Sequence, residues 1–206
     1  MYTLEEEFWN VVNCNELIYP YGKQLGMASG LETLCGQAYG ARQYQKLGIH
    51  TYRAIFSLLL VCLPISFIWI SMGKLLSFIG QDPLISLEAG KFTVWMIPGL
   101  FAYATVQPLM KFLQSQSLIL PMLLSSIVTL CLHIPLSWFL VFRTGLGITG
   151  AALSLSISYW AYTFILGSYI LCSVSCEPTR SPLSKEAFIG INEFLRIAFP
   201  SAVMIW

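Results

Sequence analysis

The sequence predicts an all-α membrane protein that crosses the bilayer several times. Three observations carry this reading. Of its 206 residues, 56% are hydrophobic and only 10% charged, whereas soluble domains carry roughly 25% charged residues. Mean hydropathy is +0.70, so the apolar surface needs a partner other than water. Charge-free intervals of span length occur four times, and a hydrocarbon core of about 30 Å needs about 20 such residues in a helix. In lipid only helices or closed barrels satisfy the backbone. These runs are too long and too uniformly apolar for the alternating strands of a barrel.

The elements follow in order. Residues 1–23 hold Glu5, Glu6 and Glu7 and no span-length apolar run; a secretory signal would need basic residues there. An apolar patch over 25–36 reads as the tail of one span. Residues 54–73, between Arg53 and Lys74, form the first complete span. Asp82-Pro83 has the chemistry of a helix start, Asp at the cap and Pro at the first helical position, and is expected to open a short segment carrying Glu88 and Lys91. Residues 92–110 form the second complete span. The intervals 112–142 and 144–176 each hold a tilted span plus a turn. Pro64, Pro98, Pro108, Pro121 and Pro135 fall in or beside these runs, which membrane helices tolerate. The polar stretch 173–196 reads as a linker in which Ser184 caps an amphipathic surface helix, with Phe188, Ile191 and Leu195 at helical spacing. A further span begins near Ile197.

Orientation follows from loop charge. Arg42, Lys46, Arg53, Lys111, Arg180, Lys185 and Arg196 fall on one side, and Lys74, Lys91 and Arg143 on the other. The richer side is expected to be cytoplasmic.

Several chemistries have no support in the sequence. Net charge is +1 and no basic tract suggests nucleic acid. The cysteines Cys14, Cys35, Cys62, Cys131, Cys172 and Cys176 are scattered without a CxxC pair and read as buried free thiols. No cluster has metal-ligand spacing, no enzyme motif is present, and no cofactor is expected. Gly145, Gly147 and Gly150 spell a GxGxxG, but a membrane span precedes them rather than the strand of a dinucleotide fold. They are read as a tight turn and a close helix contact.

Polar residues within or beside the spans are the candidate substrate path. His133 sits mid-span next to Pro135, and an intramembrane ionisable group is a functional candidate by default; a neutral histidine hydrogen-bonded to a neighbouring helix is the blander and favoured account. Gln107, Gln114 and Gln116 flank Lys111, as path or as polar glue between helices. Glu32 lies in the bundle or, preferably, at its cytoplasmic mouth. Ser154 and Ser158 share a helix face, toward a cavity or, by default, another helix. Trp69, Trp95, Trp138 and Trp160 read as interfacial anchors or bulk.

The segment GMASGLETLCGQAYGARQYQKLGIHTYRA, from Gly26 to Ala54, resembles the link between the second and third helices of plant multidrug and toxic compound extrusion (MATE) transporters, the detoxification proteins. GQDPLISLEAGKF, KFLQSQSLILPM, GLGITGAALSLSISYW and SKEAFIGINEFLRIAFPSAVM fit the same family in order. The resemblance implies a MATE-type helical bundle, here an incomplete N-terminal lobe with four full spans and two partial ones. It divides the chain into a non-family segment 1–23, lobe 24–172, inter-lobe linker 173–196 and the start of a seventh helix over 197–206. It implies export of organic compounds in exchange for protons from a plasma or vacuolar membrane, with lipid, an organic substrate and protons as partners. It also implies that Cys35, Gly36, Gln37, Ala38 and Gly40 are structural loop residues, and no proton-coupling acid is carried over to this chain. A transporter needs two bundles moving about a site, so this chain is expected not to transport alone. The rival reading is a non-transporting membrane protein that pairs with a full-length relative.

Overall fold

The computed structural model describes residues 20–179 together with Arg196 and Pro200. The expectations for residues 1–19, for the helix capped by Ser184 and for the span beginning at Ile197 lie outside these residues. Everything described is helix or turn: α1 (Pro20–Gly40), α2 (Tyr44–Ile70), α3 (Met72–Ile79), α4 (Pro83–Ser115), α5 (Ile119–Trp138, continued by a π-turn over Phe139–Arg143) and α6 (Gly147–Cys172), then a 3₁₀ turn over Val174–Thr179. The helices α2, α4, α5 with its π-turn, and α6 are long and apolar enough to cross a membrane.

Element boundaries differ from the sequence expectation wherever charge was taken as an end. The span predicted over 54–73 starts ten residues earlier, at Tyr44. Lys46, His50 and Arg53 lie at i, i+4 and i+7 and so share one face of α2, while Leu47, Thr51 and Ala54 turn inward. The segment after Asp82 is not a separate short element but the first turns of the 33-residue α4. Asp82 caps it, accepting a hydrogen bond from the Leu84 N–H at 2.8 Å. Glu88 and Lys91 pair at 2.8 Å along the exposed surface, so their charges do not interrupt the helix. The interval 112–142 divides at 116–118, where α4 ends and α5 begins.

Helix α4 is the centre of the bundle, in contact with α1, α2, α3 and α6. The core runs through Leu47, Leu58, Trp69, Leu100, Val106, Leu113 and Leu166. The seam between α4 and α6 shows how apolar helices associate without an aqueous driving force, through small residues and polar side chains. A Cβ at Gly99 would come within 2.9 Å of Ser156 Oγ. Ser156 donates to the Trp95 carbonyl at 3.1 Å, Trp160 Nε1 to the Pro98 carbonyl at 3.1 Å and Thr163 to the Ala102 carbonyl at 3.2 Å. These bonds lie around Pro98, which has no N–H for its own helical ladder. Gly73 and Gly90 bring α3 against α4 with equal intimacy, a Cβ on Gly90 lying 3.0 Å from the Gly73 Cα.

Helix α5 is different, with Ser125 as its buried residue. It packs on α6, and Leu120, Leu123, Leu124, Leu130 and Ile134 are exposed. Cys131 and Cys172 are exposed as well, whereas Cys35, Cys62 and Cys176 are buried, so thiol burial holds for three of the five described cysteines. Trp69 is core, while Trp95, Trp138 and Trp160 are exposed.

Candidate functional site

Two polar clusters emerge from the candidate residues. The first joins α1 to α4 at the end of the bundle where α1 and α4 finish and α2 begins, the basic end. Lys111 Nζ donates to Glu32 Oε2 at 2.6 Å and to Gln114 Oε1 at 3.1 Å. Gln114 Nε2 donates to Glu32 Oε1 at 3.2 Å. The three side chains close a triangle, which is how a partly desolvated ion pair keeps its remaining polar atoms satisfied. The Lys111 side chain is 17% exposed and that of Glu32 45%. Nearby, Gln116 donates to the Phe112 carbonyl and accepts from Thr179 at 3.0 Å, which pins the 3₁₀ turn to the end of α4. Gln107 is buried on α4 and belongs to neither cluster.

The second cluster lies between α5 and α6. A concavity of about 230 Å³ is lined by Ser126, Thr129, His133, Ser158, Tyr159 and Tyr162, with Leu130 and Leu155. His133 Nδ1 lies 2.8 Å from Ser158 Oγ, and Ser158 Oγ lies 2.7 Å from the Ser154 carbonyl. Ser154 is buried and donates to the Ala151 carbonyl. The 3.6-residue period places Ser158, Tyr159 and Tyr162 on adjoining rows of α6. It sets Ser126, Thr129 and His133 at intervals of three and four on α5, toward the same side. Tyr159 also meets Tyr103 of α4 edge-on, ring centroids 5.6 Å apart.

The glycine-containing segments lie at helix ends, and Cys35, Gly36, Gln37, Ala38 and Gly40, expected as loop residues, are instead helical, the C-terminal end of α1. Cys35 is fully buried. Gly36, Gln37, Ala38 and Gly40 form the last turn of α1, whose carbonyls are capped: Ala41 N–H donates to Gln37 O and Gln43 N–H to Ala38 O at 3.0 and 2.9 Å. Gly145 and Gly147 hold φ of +70° and +53°, a left-handed backbone that suits glycine. A Cβ on Gly150 would strike the Leu140 carbonyl, so α6 begins hard against the π-turn of α5.

Sequence reasoning named His133, Ser154, Ser158, Glu32 and Gln114 but not their partners. Tyr159, Tyr162, Ser126 and Thr129 were missed; polar and aromatic residues at three- and four-residue intervals were the available signal. The contact of Lys111 with Glu32 spans 79 positions and leaves no trace in the sequence. Among the described residues no group of His, Cys, Asp and Glu is arranged to hold a metal ion.

Comparison with known proteins places this geometry. Residues 19–139 match the MatE family. The chain is 52% identical over 203 residues to Protein DETOXIFICATION 12 of Arabidopsis thaliana, covering 98% of this chain and 41% of that protein. It is 55% identical over 180 residues to Protein DETOXIFICATION 14 of the same plant, covering 87% and 37%. The crystal structure of the eukaryotic MATE transporter AtDTX14 superposes with a TM-score of 0.88 at 54% identity, over 90% of this chain and 41% of that one. An inward-facing multidrug resistance MATE family transporter of the MOP superfamily shares the fold, with a TM-score of 0.72 at 16% identity. The chain thus spans about two fifths of the length of the curated relatives it matches.

Proposed function

The chain belongs to the MatE family, and from that premise we infer that it supplies part of a secondary antiporter that moves organic compounds out in exchange for protons. The observation that carries this reading is the His133–Ser158 pair, which opens on a largely apolar cavity between α5 and α6. Groups of this kind are costly in hydrocarbon and mark substrate or ion paths. Ser158 has one hydroxyl hydrogen. Placed on the Ser154 carbonyl at 2.7 Å, it leaves the 2.8 Å contact to be made by His133 Nδ1–H as donor. A neutral imidazole then has Nε2 as an open acceptor. The cavity offers that acceptor, two tyrosine rings and leucine side walls, a surface for a flat organic molecule with one hydrogen-bond donor.

Glu32, Lys111 and Gln114 form the cytoplasmic mouth in this reading, with Gln107 deeper on α4. The basic end faces the cytoplasm by loop charge. Rigid-body rocking needs a second bundle opposing this one, so the chain acts as one side of a two-sided machine, in a plasma or vacuolar membrane.

The test is a chimera in which residues 24–206 replace the matching segment of Protein DETOXIFICATION 14, assayed for proton-driven dye efflux from proteoliposomes. The chimera is expected to pump, and His133→Phe to raise the dye concentration needed for half-maximal rate. The 206-residue chain alone is expected not to pump. A folded chimera without exchange, beside an active parent, refutes the assignment; so does efflux by the chain alone.

A further inference from the structure

At the end of the bundle opposite the basic turns, α3 and the start of α4 form a hairpin whose surface the antiport reading does not use. Gly80, Gln81 and Asp82 join Ile79 to Pro83, with Gly80 in the left-handed region at φ +95°. The Gly73–Gly90 contact holds the two helices together. At about 100° per residue, α3 divides into three arcs. Met72 and Leu76 are buried against the bundle. Leu75, Phe78 and Ile79 form an exposed apolar arc, Phe78 at 90%. Lys74 and Ser77, both exposed, form a polar arc beside it. Next to the turn, Leu84 and Ile85 of α4 are exposed too. The outward row Leu60, Leu63, Phe67 and Ile70 of α2, exposed throughout, leads up to the start of α3.

We propose that this hairpin is a membrane foot, its apolar arc and Leu84 inserted at the boundary between headgroups and acyl chains in the leaflet on that side, with Lys74 and Ser77 turned to water. Depth identifies the bilayer as the partner. From Asp82 to Lys111, α4 rises roughly 43 Å at 1.5 Å per residue, and a bilayer with both headgroup layers measures about 40–45 Å. With Lys111 at one surface, the first turn of α4 lies in the headgroup layer of the other. Helix α3 is tied to α4 at Gly73 and Gly90 and rejoins it through a tight turn, so Phe78 lies at the height of that first turn. A helix with an apolar and a polar arc is the form that lies in this layer, its apolar side sunk about 5–10 Å into the boundary. The outward row of α2 below it is already in hydrocarbon, so the arc continues a lipid contact rather than beginning a separate patch. Charge is not the attraction. Lys74 and Asp82 have opposite signs, and Glu88 is paired with Lys91 at 2.8 Å. The foot therefore takes a zwitterionic surface as readily as an anionic one.

The experiment uses the whole chain with Cys14→Ser and Cys172→Ser, reconstituted in dioleoyl phosphatidylcholine vesicles. The native Cys131, exposed midway along α5, carries a bimane label as the deep reference. In a Cys131→Ser background the label is placed instead by Phe78→Cys, Leu84→Cys or Ser77→Cys. Monodispersity in detergent and helical circular dichroism are checked for every variant. Quenching is read with nitroxide lipids, labelled near the headgroup or near the chain end, and with iodide on both sides of the membrane. At Phe78→Cys and Leu84→Cys the headgroup nitroxide is expected to quench most, and at Cys131 the chain-end nitroxide. The iodide quenching constant at Phe78→Cys should fall severalfold below that at Ser77→Cys, one position away on the polar arc. Adding phosphatidylserine should leave this pattern in place. Equal iodide quenching at Phe78→Cys and Ser77→Cys would place the hairpin in water and overturn the proposal. So would protection of Phe78→Cys from every quencher, which would mean a protein surface covers it, or a pattern that appears only with phosphatidylserine. None of these readouts involves transport, so the membrane foot and the antiport reading stand or fall separately.

Discussion

Removing the charge of Glu32 is expected to destabilise the bundle more than removing its partner Lys111, although both variants break the same bond. The asymmetry follows from exposure. The Glu32 side chain is 45% exposed and that of Lys111 17%. In Lys111→Met the carboxylate that remains is open to water, and the buried stem of residue 111 is replaced by a hydrocarbon of similar length. The cost resembles that of an exposed pair, about 0.5 kcal/mol. In Glu32→Gln the ammonium that remains is mostly enclosed and keeps only neutral oxygens, among them Gln114 Oε1 at 3.1 Å. Stranding a fully buried charge costs about 3–5 kcal/mol, and partial exposure of this site scales that to about 2 kcal/mol. For a chain of this length 1 kcal/mol is about 2–4 °C, so Glu32→Gln should lower Tm by about 4–8 °C and Lys111→Met by about 1–2 °C. The double variant should be more stable than Glu32→Gln, since no charge is left behind. A thiol-reactive fluorophore reads this directly, because Cys35, Cys62 and Cys176 are buried and become reactive on unfolding. Equal losses from the two single variants, or a double variant worse than both, would show that the triangle is not an electrostatic unit.

Three further outcomes are expected, two in the same assay and one by ¹⁵N NMR. Gly99→Ala should cost about 1–3 kcal/mol by forcing Ser156 away, whereas Gly167→Ala, with nothing within 4 Å of its added Cβ, should be neutral or slightly stabilising; equal effects would show that the α4–α6 seam tolerates a methyl. Asp82→Ala should cost about 1 kcal/mol and Asp82→Asn much less, because the amide oxygen can still cap the helix; a loss confined to Asn would refute the cap. Ser158→Ala should move the ¹⁵N resonances of His133 away from the Nδ1–H pattern while Thr129→Val leaves them in place; unchanged resonances in Ser158→Ala would mean that Ser158 does not select the tautomer.

The spans were legible because hydrocarbon solvent imposes one rule on every residue it touches, and a run of 20 uncharged residues records it. Helix ends were not, because charge does not end a helix; it only has to reach water. Lys46, His50 and Arg53 do so from one face of α2, and Glu88 and Lys91 by pairing on the surface of α4. A rule based on uninterrupted apolar runs therefore begins α2 ten residues late, carries it past its end at Ile70 into α3, and divides α4. Of the candidate site, the residue types were readable and the partners were not. His133 stood out as an ionisable group in a span, but Ser158 lies 25 positions away, and only the packing of α5 on α6 joins them. The glycines show both cases. The positive φ of Gly145 and Gly147 belongs to a local turn that sequence can suggest. The contact of Gly99 with Ser156 belongs to a pair of helices and becomes visible only when they meet.

The distribution of buried polar groups explains why the described helices hold together while exposing so much hydrocarbon. In water, Leu60, Phe67, Phe78 and Leu124 on the surface would cost more than the core returns; in lipid, exposing them costs little, and burial of apolar area stops selecting the fold. Specificity must then come from contacts that lipid cannot imitate. Lipid tails offer no donors, so the side chains of Ser156, Trp160 and Thr163 that reach carbonyls of α4 favour one rotation and one height of α6 against it. Tails cannot replace the backbone contact at Gly73 and Gly90 either, because even a methyl added at Gly90 would lie 3.0 Å from the Gly73 Cα. By this logic α5 is the least specified of the long helices: among the described residues its ties to α6 that lipid cannot imitate are the His133–Ser158 hydrogen bond and the Gly150 approach to Leu140, one at mid-span and one at the end opposite the basic turns. The rest of its packing on α6 is apolar, a contact that lipid tails can imitate, so rotation and height of α5 rest on those two ties.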